Sequence, residues 1–160
     1  MILMKFDPEI KGSSKVKGYE DWVEFETYAI SSSRNIQVQG DDRDISNPYV
    51  SELMLTKGAD KTSPEFFIQA KIGKAFKKAT IAVVQAAGAN DKPQNLLTFE
   101  VAEPIVSSFS TQCSSGNRPS EHISLNFSKI KYDYTNFDGG TSKGSVSKEY
   151  NLITNTASAA

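Results

Sequence analysis

A chain of 160 residues is the size of one domain and can bury a core without metal or disulfide staples. Its 38% hydrophobic and 23% charged residues are ordinary for a globular protein. A formal net charge of −1 supplies no general attraction to nucleic acid or to an anionic membrane surface.

Cys113 is the only cysteine, so no intramolecular disulfide is available and a reducing compartment is expected during folding. The first seven residues are briefly apolar, but Lys5 and Asp7 interrupt them before a signal-peptide core is reached. No run approaches the roughly 18 apolar residues that span a bilayer. The expectation is a chain made in the bacterial cytosol, with no membrane insertion, that leaves the cell without a cleaved signal.

In chain order, most of the sequence alternates with the period of two that strands require. Over residues 22–30, Val23, Phe25, Thr27 and Ala29 alternate with Trp22, Glu24, Glu26 and Tyr28, which predicts one strand apolar on both faces. Residues 36–39 form a short alternating piece. Residues 40–48 break the pattern with glycine, proline and charge, which predicts a polar loop. Residues 50–56 place Leu53 and Leu55 on one face.

A helix is signalled next. Ser63 is suited to cap it, Pro64 to its first turn, and Glu65 to the positive end of its dipole. Phe66, Phe67 and Ala70 supply an apolar stripe up to Ile72, and Gly73 stands where a helix commonly stops. Residues 76–87 read as a strand buried on both sides. Leu97, Phe99 and Val101 alternate up to Pro104, which marks an edge, a bulge or a break before residues 105–110.

From His122 to Tyr134 the apolar positions are first odd (Ile123, Leu125, Phe127) and then even (Ile130, Tyr132, Tyr134). A phase flip of this kind predicts a bulge or bend near Ser128 and Lys129. Val146, Lys148, Tyr150 and Leu152 alternate as a last strand. The small polar tail 155–160 has little to bury and is expected to fray, which leaves 1–154 as one folded domain. Many strands with one short helix predict a mainly β fold, a small barrel or sandwich of antiparallel strands.

Searching for chemistry yields little. His122 is the only histidine and is in phase with Ser124 and Asn126 on a polar face. With Cys113 it makes at most a nucleophile pair across a hairpin, and Cys113 has no neighbouring charge to activate it. One histidine and one cysteine do not make a structural zinc site. Lys57-Gly58-Ala59-Asp60-Lys61-Thr62 ends like a phosphate loop but lacks the glycine before its second lysine. Asp41, Asp42 and Asp44 lack the distal glutamate of a calcium loop. Lys71, Lys74, Lys77 and Lys78 cluster at the helix end, where they complement the dipole or meet an acidic patch on a neighbouring subunit. Tyr28, Tyr132 and Tyr134 suit a sugar platform or a strand interior equally.

An ordered set of segments nevertheless carries a resemblance. Gly12-Ser13-Ser14-Lys15 precedes Trp22-Val23-Glu24-Phe25. Leu55-Thr56-Lys57-Gly58-Ala59-Asp60-Lys61-Thr62-Ser63-Pro64-Glu65-Phe66-Phe67 follows, and then Ile105-Val106-Ser107-Ser108-Phe109. Arg118-Pro119-Ser120-Glu121-His122-Ile123-Ser124-Leu125-Asn126-Phe127 leads to Lys131-Tyr132-Asp133-Tyr134, and the run from Gly140 to Val146 closes the set. Together these segments resemble the haemolysin-coregulated protein (Hcp) family of type VI secretion. Departures are Tyr134, near a position where a tryptophan is common, and a short methionine-rich first strand.

The resemblance implies a barrel of two small sheets with a helix on one side and no catalytic activity or cofactor. It implies a structural tube subunit that forms homo-hexameric rings. Those rings stack, carry secreted effectors, and work with sheath and spike proteins. It places Ser31, Ser32 and Ser33 toward the channel and the loop with Asp41, Asp42, Arg43 and Asp44 between rings. Lys74, Lys77 and Lys78 are expected at a subunit contact. A phage-like tail-tube protein shares these features, and a ligand-binding β-barrel is the further alternative.

Overall fold

The computed structural model describes residues 1–85 and 93–159. Thirteen strands and one helix are formed among them. They are β1 (Ile2–Asp7), β2 (Val23–Phe25), β3 (Thr27–Ala29), β4 (Ser32–Gln39), β5 (Asp42–Val50), β6 (Leu53–Gly58) and α1 (Ser63–Ile72). Then come β7 (Lys78–Gln85), β8 (Gln94–Ala102), β9 (Ile105–Gln112), β10 (Ser120–Asn126), β11 (Lys129–Asp138), β12 (Thr141–Asn151) and β13 (Thr156–Ala159). One sheet has the order β13-β12-β11-β8-β7-β1-β2, a second β3-β6-β10-β9, and β4 pairs with β5 alone. Residues 86–87 of the expected long strand lie outside the described residues.

Breaks in the alternating pattern are where the chain passes from one sheet to the other. Residues 22–30 are two strands and not one: β2 pairs with β1, and β3 pairs with β6 in the second sheet. Glu26 is the crossing residue, and its N–H donates to the Thr56 carbonyl. At Pro104 the chain leaves β8 for β9, after Glu103 takes φ 51°. The phase flip near Ser128 is a third crossing, from β10 to β11, where the Ser128 N–H donates to the Ala102 carbonyl. A residue that changes sheets reverses which parity faces the core, because both sheets line the same interior.

That interior holds Phe6, Phe66 and Phe76 with Leu53, Leu55, Ile81, Ile123 and Leu125, all buried. The Phe66 ring meets Phe6 edge-on at 5.5 Å and Phe25 at 6.2 Å, so α1 is pinned by one aromatic side chain. Phe66 is the buried residue of the helix, while Phe67, expected beside it in an apolar stripe, is half exposed. The helix begins after Thr62 and not after Ser63. Ser63 Oγ is already taken, accepting from the Asp60 N–H at 2.9 Å. Gly73 ends the helix at φ 63°, a left-handed position that favours glycine. Near the N-terminus, Gly12 donates to the Asp21 carbonyl and packs so closely on the Trp22 backbone that a Cβ there would collide with it.

Two expectations need correction. Residues 40–48 are not a loop: from Asp42 onward they form β5, which pairs with β4 around a turn at Gly40 and Asp41. The tail, expected to fray, contributes β13: Thr156–Ala159 pairs with β12 from Lys148 to Asn151. An edge strand is held by main-chain bonds, which satisfy the otherwise open edge of β12 and need no apolar side chains.

One buried charge cluster ties the second sheet to the helix. Lys57 and Glu121 are direct cross-strand partners on β6 and β10, and both are almost wholly buried. Lys57 Nζ lies 2.8 Å from Asp60 Oδ1 and 2.9 Å from Glu121 Oε2, and it donates to the Gly58 carbonyl at 3.1 Å. Glu121 Oε2 has no hydrogen-bond partner, so the ammonium is its compensation. Thr62 donates its N–H and its hydroxyl to Asp60 Oδ1. Burial pushes the Asp60 carboxyl up, but hydrogen bonds from Lys57 and Thr62 and the lysine's charge outweigh it and hold the group below the usual carboxylate range. The Arg118 guanidinium adds two bonds to the Ala59 carbonyl, at 2.9 and 2.6 Å.

Removing the cation strands buried carboxylate. Lys57→Ala should cost about 3–5 kcal/mol, the scale for breaking a buried ion pair, measured by urea unfolding. A loss within about 0.5 kcal/mol, typical of a surface site, would show that the lysine is dispensable. Because the folded-state pKa of Asp60 is depressed, its contribution is present above the unfolded value near pH ~4 and is lost as pH falls through the folded value. Asp60→Asn should therefore lower stability at neutral pH and flatten its decline below pH ~4, in matched unfolding series.

Candidate functional site

The geometry offers surfaces and not a reaction centre. Among the described residues, no three His, Cys, Asp or Glu side chains converge to hold a metal ion. Cys113 is exposed in the loop after β9 and bonds the carbonyls of Ser114 and Asn117. His122 faces Ser110 and Thr56 across the sheet, so the structure does not register it with Cys113.

The first surface is the open face of the four-stranded sheet. Thr27 and Ala29 on β3 lie opposite Thr56 and Met54 on β6, which lie opposite His122 and Ser124 on β10. Ser110 and Ser108 continue the same two rows on β9. Small hydroxyl side chains dominate this face, and Thr27 and Thr56 bond each other through theirs. Met54, 57% exposed, is its one large apolar group.

The expected channel serines divide between two faces. Ile30 packs on the core, and Ser32 lies opposite core-packed Val50, so the even residues point inward. Ser33, paired with Tyr49, is on the other face, and alternation puts Ser31 there too. Ser31 and Ser33 thus extend the hydroxyl surface, whereas Ser32 does not. Ser31 is fixed by main-chain exchange with Ser51, whose Oγ accepts the Ser31 N–H at 2.8 Å.

The second surface is the β4–β5 hairpin. Asp41, Asp42, Arg43 and Asp44 sit at its tip, exposed, with the Arg43 N–H donating to Asp42 Oδ1. Ile36 pairs with Ile45 and Val38 with Arg43, which gives the ribbon one apolar face in solvent. Those apolar groups are 53%, 55% and 68% exposed for Ile36, Ile45 and Val38. Isolated two-stranded ribbons are marginal in water, so a ribbon with a bare apolar face is suited to being covered.

The third surface lies around α1. Phe67, Ile68 and Ile72 are exposed, and the Phe67 ring meets Phe109 of β9 edge-on at 6.1 Å. Lys71 and Lys74 project at the helix end, and Lys77 follows before β7. Lys78 differs from its neighbours, because its Nζ is paired with Glu100 Oε2 at 3.1 Å on the seven-stranded sheet. The structure therefore leaves Lys74 just past the helix, ties the main chain of Lys77 to Asp7 and Glu103, and commits Lys78 to Glu100.

Sequence reasoning missed a fourth feature, an apolar groove of about 640 Å³ walled by residues of β8, β11, β12 and β13 and by the base of the β4–β5 hairpin. Ile30, Val50, Phe99, Ile130, Tyr132 and Tyr150 line it. Tyr28 and Tyr132 both pack on Phe99, at 5.5 and 4.5 Å, so they serve the interior and the groove wall. No local signal marks the groove, since its walls are brought together by the sheet order alone.

Comparison with known proteins agrees with this architecture. Residues 3–134 match the family model described as "Type VI secretion system effector, Hcp". Protein hcp1 of Pseudomonas aeruginosa is 32% identical over 109 residues, 66% of either chain. A solved type six secretion system protein superposes with TM-score 0.89 at 21% identity, covering 98% of both chains. Hcp1 from Salmonella typhimurium gives 0.76 at 21% identity, over 98% of this chain and 97% of that one. A type VI secretion system effector from Yersinia pestis gives 0.72 at 21%, over 94% and 99%. Among the described residues no helix is long and apolar enough to cross a membrane. With a family model covering most of its length and a two-sheet antiparallel fold closed by one helix, the chain belongs to the Hcp family of type VI secretion proteins.

Proposed function

We propose that the chain is a subunit of the type VI secretion inner tube, a structural role without catalysis. Six copies close into a ring and rings stack. The tube then carries effector proteins outward in concert with sheath and spike components. The observation that carries this reading is the β4–β5 hairpin. It extends beyond both sheets with Ile36, Val38 and Ile45 bare, as an element suited to burial against another copy. Its aspartate-rich tip makes ring stacking weak and salt-sensitive.

Cargo meets the hydroxyl face in this reading. Ser31 and Ser33 stand on the side of Thr27 and Thr56, where small hydroxyls bond varied partners without filling the channel. Ser32, on the opposite face, takes no part.

Mass measurement by light scattering tests the ring directly: a closed species at six times 17.5 kDa is expected, and a monomer at all concentrations contradicts it. Ile36→Ser, Val38→Ser and Ile45→Ser together should leave the stability of the single chain within about 0.5 kcal/mol, since the groups are exposed. Rings of this variant should persist while stacked tubes disappear from electron micrographs; tubes of unchanged length would remove the hairpin from stacking. Ser31→Gln with Ser33→Gln should preserve ring mass and lower effector retention, and unchanged retention would move the cargo surface elsewhere.

A further inference from the structure

The geometry points to a flap: residues 60–75, with α1 as their body, are fastened through Asp60, and a proton on that carboxylate lets the helix undock while both sheets stay folded. The segment is bounded by main-chain anchors that belong to the sheets. Before it, Ala59 donates its N–H to the Pro119 carbonyl and accepts two bonds from Arg118. After it, Phe76 donates to the Pro104 carbonyl and Lys77 to the Asp7 carbonyl. Gly73, at φ 63°, with Lys74 and Ala75 outside any helix or strand, supplies a hinge on that side. The stretch between these anchors can open without moving a strand.

Within it the helix is held at few places. Phe66 is its one buried side chain, with Ala70 packed at the margin of the core, while Phe67, Ile68 and Ile72 face solvent. Thr62 stands at the N-cap but makes no bond to the helix with its hydroxyl, which donates to Asp60 Oδ1 at 2.5 Å. The same oxygen accepts from the Thr62 N–H at 2.7 Å and from Lys57 Nζ at 2.8 Å. One carboxylate oxygen thus gathers three donors, and through Thr62 it fixes the carbonyl that receives the Glu65 and Phe66 N–H groups. Bonds to an ionised acceptor are roughly twice as strong as bonds to a neutral one, so a proton on Asp60 weakens all three together.

The charges around Asp60 decide which side lets go. Lys57 faces two carboxylates, Asp60 on the flap and Glu121 on β10, so one anion is in surplus. A neutral Asp60 leaves Lys57 and Glu121 as a balanced cross-strand pair between β6 and β10, and the sheet keeps its compensation. Arg118 spends its guanidinium on the Ala59 carbonyl, outside the flap. Lys61 and Glu65 are exposed, Glu65 bonded by Gln69, and β9 carries no ionisable side chain. Burial raises the Asp60 pKa, but the bonds from Lys57 and Thr62 and the lysine's charge outweigh it. The latch is therefore complete above the unfolded value near pH ~4 and is lost as pH falls through the lower folded value. Undocking bares Phe6 and Phe25, which meet the Phe66 ring at 5.5 and 6.2 Å.

Native-state hydrogen exchange, read amide by amide against urea concentration on the full chain, tests the flap. The amides of Phe67–Gly73 should open more often than those of β6, β7 and β10. Their opening should depend little on urea, as a local event that exposes little surface does. Helix amides that share the urea dependence of the strands overturn the inference, because the helix then opens only with the whole chain. At neutral pH, Asp60→Asn should raise helix opening by about tenfold or more, the scale of bonds to a charged acceptor, and keep the low urea dependence. An unchanged rate of opening in that variant overturns the latch. In the parent chain, helix opening corrected for the intrinsic exchange rate should rise as pH falls below ~4, whereas in Asp60→Asn it should stay flat. The same rise in both chains, or no rise in the parent, overturns Asp60 as the acid-sensitive group.

Discussion

The ammonium group of Lys57 sits almost out of reach of water, between a carboxylate from the next strand and one from the turn that starts the helix. Two anions around one cation are tolerable in a buried site only with close geometry and further donors, which Thr62 supplies. The cluster joins β6, β10 and the turn before α1, and so fixes where the helix leaves the four-stranded sheet. Phe66 then anchors the helix on Phe6 and Phe25 of the other sheet. With the helix held at those two points, Phe67, Ile68 and Ile72 are left facing solvent.

A division of labour follows from this arrangement. Two sheets and one aromatic cluster form a frame whose stability is internal to the chain. Outside the frame are the hairpin, the helix row, the hydroxyl face and the groove, whose exposed apolar groups contribute little to the stability of the single chain. Frame and surfaces meet at a few residues: Phe99 belongs to the core, Ile30, Val50 and Ile130 pack on it, and all four also line the groove.

Much of the frame was legible because both sheets line one interior. Apolar alternation was read for what became β2, β6, β7, β8, β10 and the base of β11, and the interruptions at Pro104 and Ser128 were located, the first as an edge, bulge or break and the second as a bulge or bend. Their meaning, passage between sheets, needs the partner strands. Residues 22–30 misled for the same reason: the core-facing parity reverses across Glu26, from Val23 and Phe25 to Tyr28 and Ile30, and the sequence was read as one unbroken alternation. The stretch from Asp42 to Val50 was illegible as a strand. With most of its residues exposed it has little reason to alternate, and its aspartate, asparagine and proline content mimics a loop. The tail's pairing was hidden likewise, being made by main-chain bonds.

Of the candidate surfaces, the resemblance located the hairpin tip and the serines, but sorting Ser31 and Ser33 from Ser32 required the inward position of Ile30 and Val50. The Lys57–Asp60 spacing was seen and dismissed as a failed phosphate loop. Its role depends on Glu121, distant in sequence and adjacent only once β6 and β10 pair. Amide hydrogen exchange, followed residue by residue as protein concentration is raised, tests the separation of frame from surfaces most directly. The account predicts slow exchange in β6, β7 and β10 at every concentration. It predicts fast exchange over Ser32–Gln39 and Asp42–Val50 in the free chain, slowing sharply as copies assemble. Equal protection of the hairpin in the free chain and the assembly would contradict it.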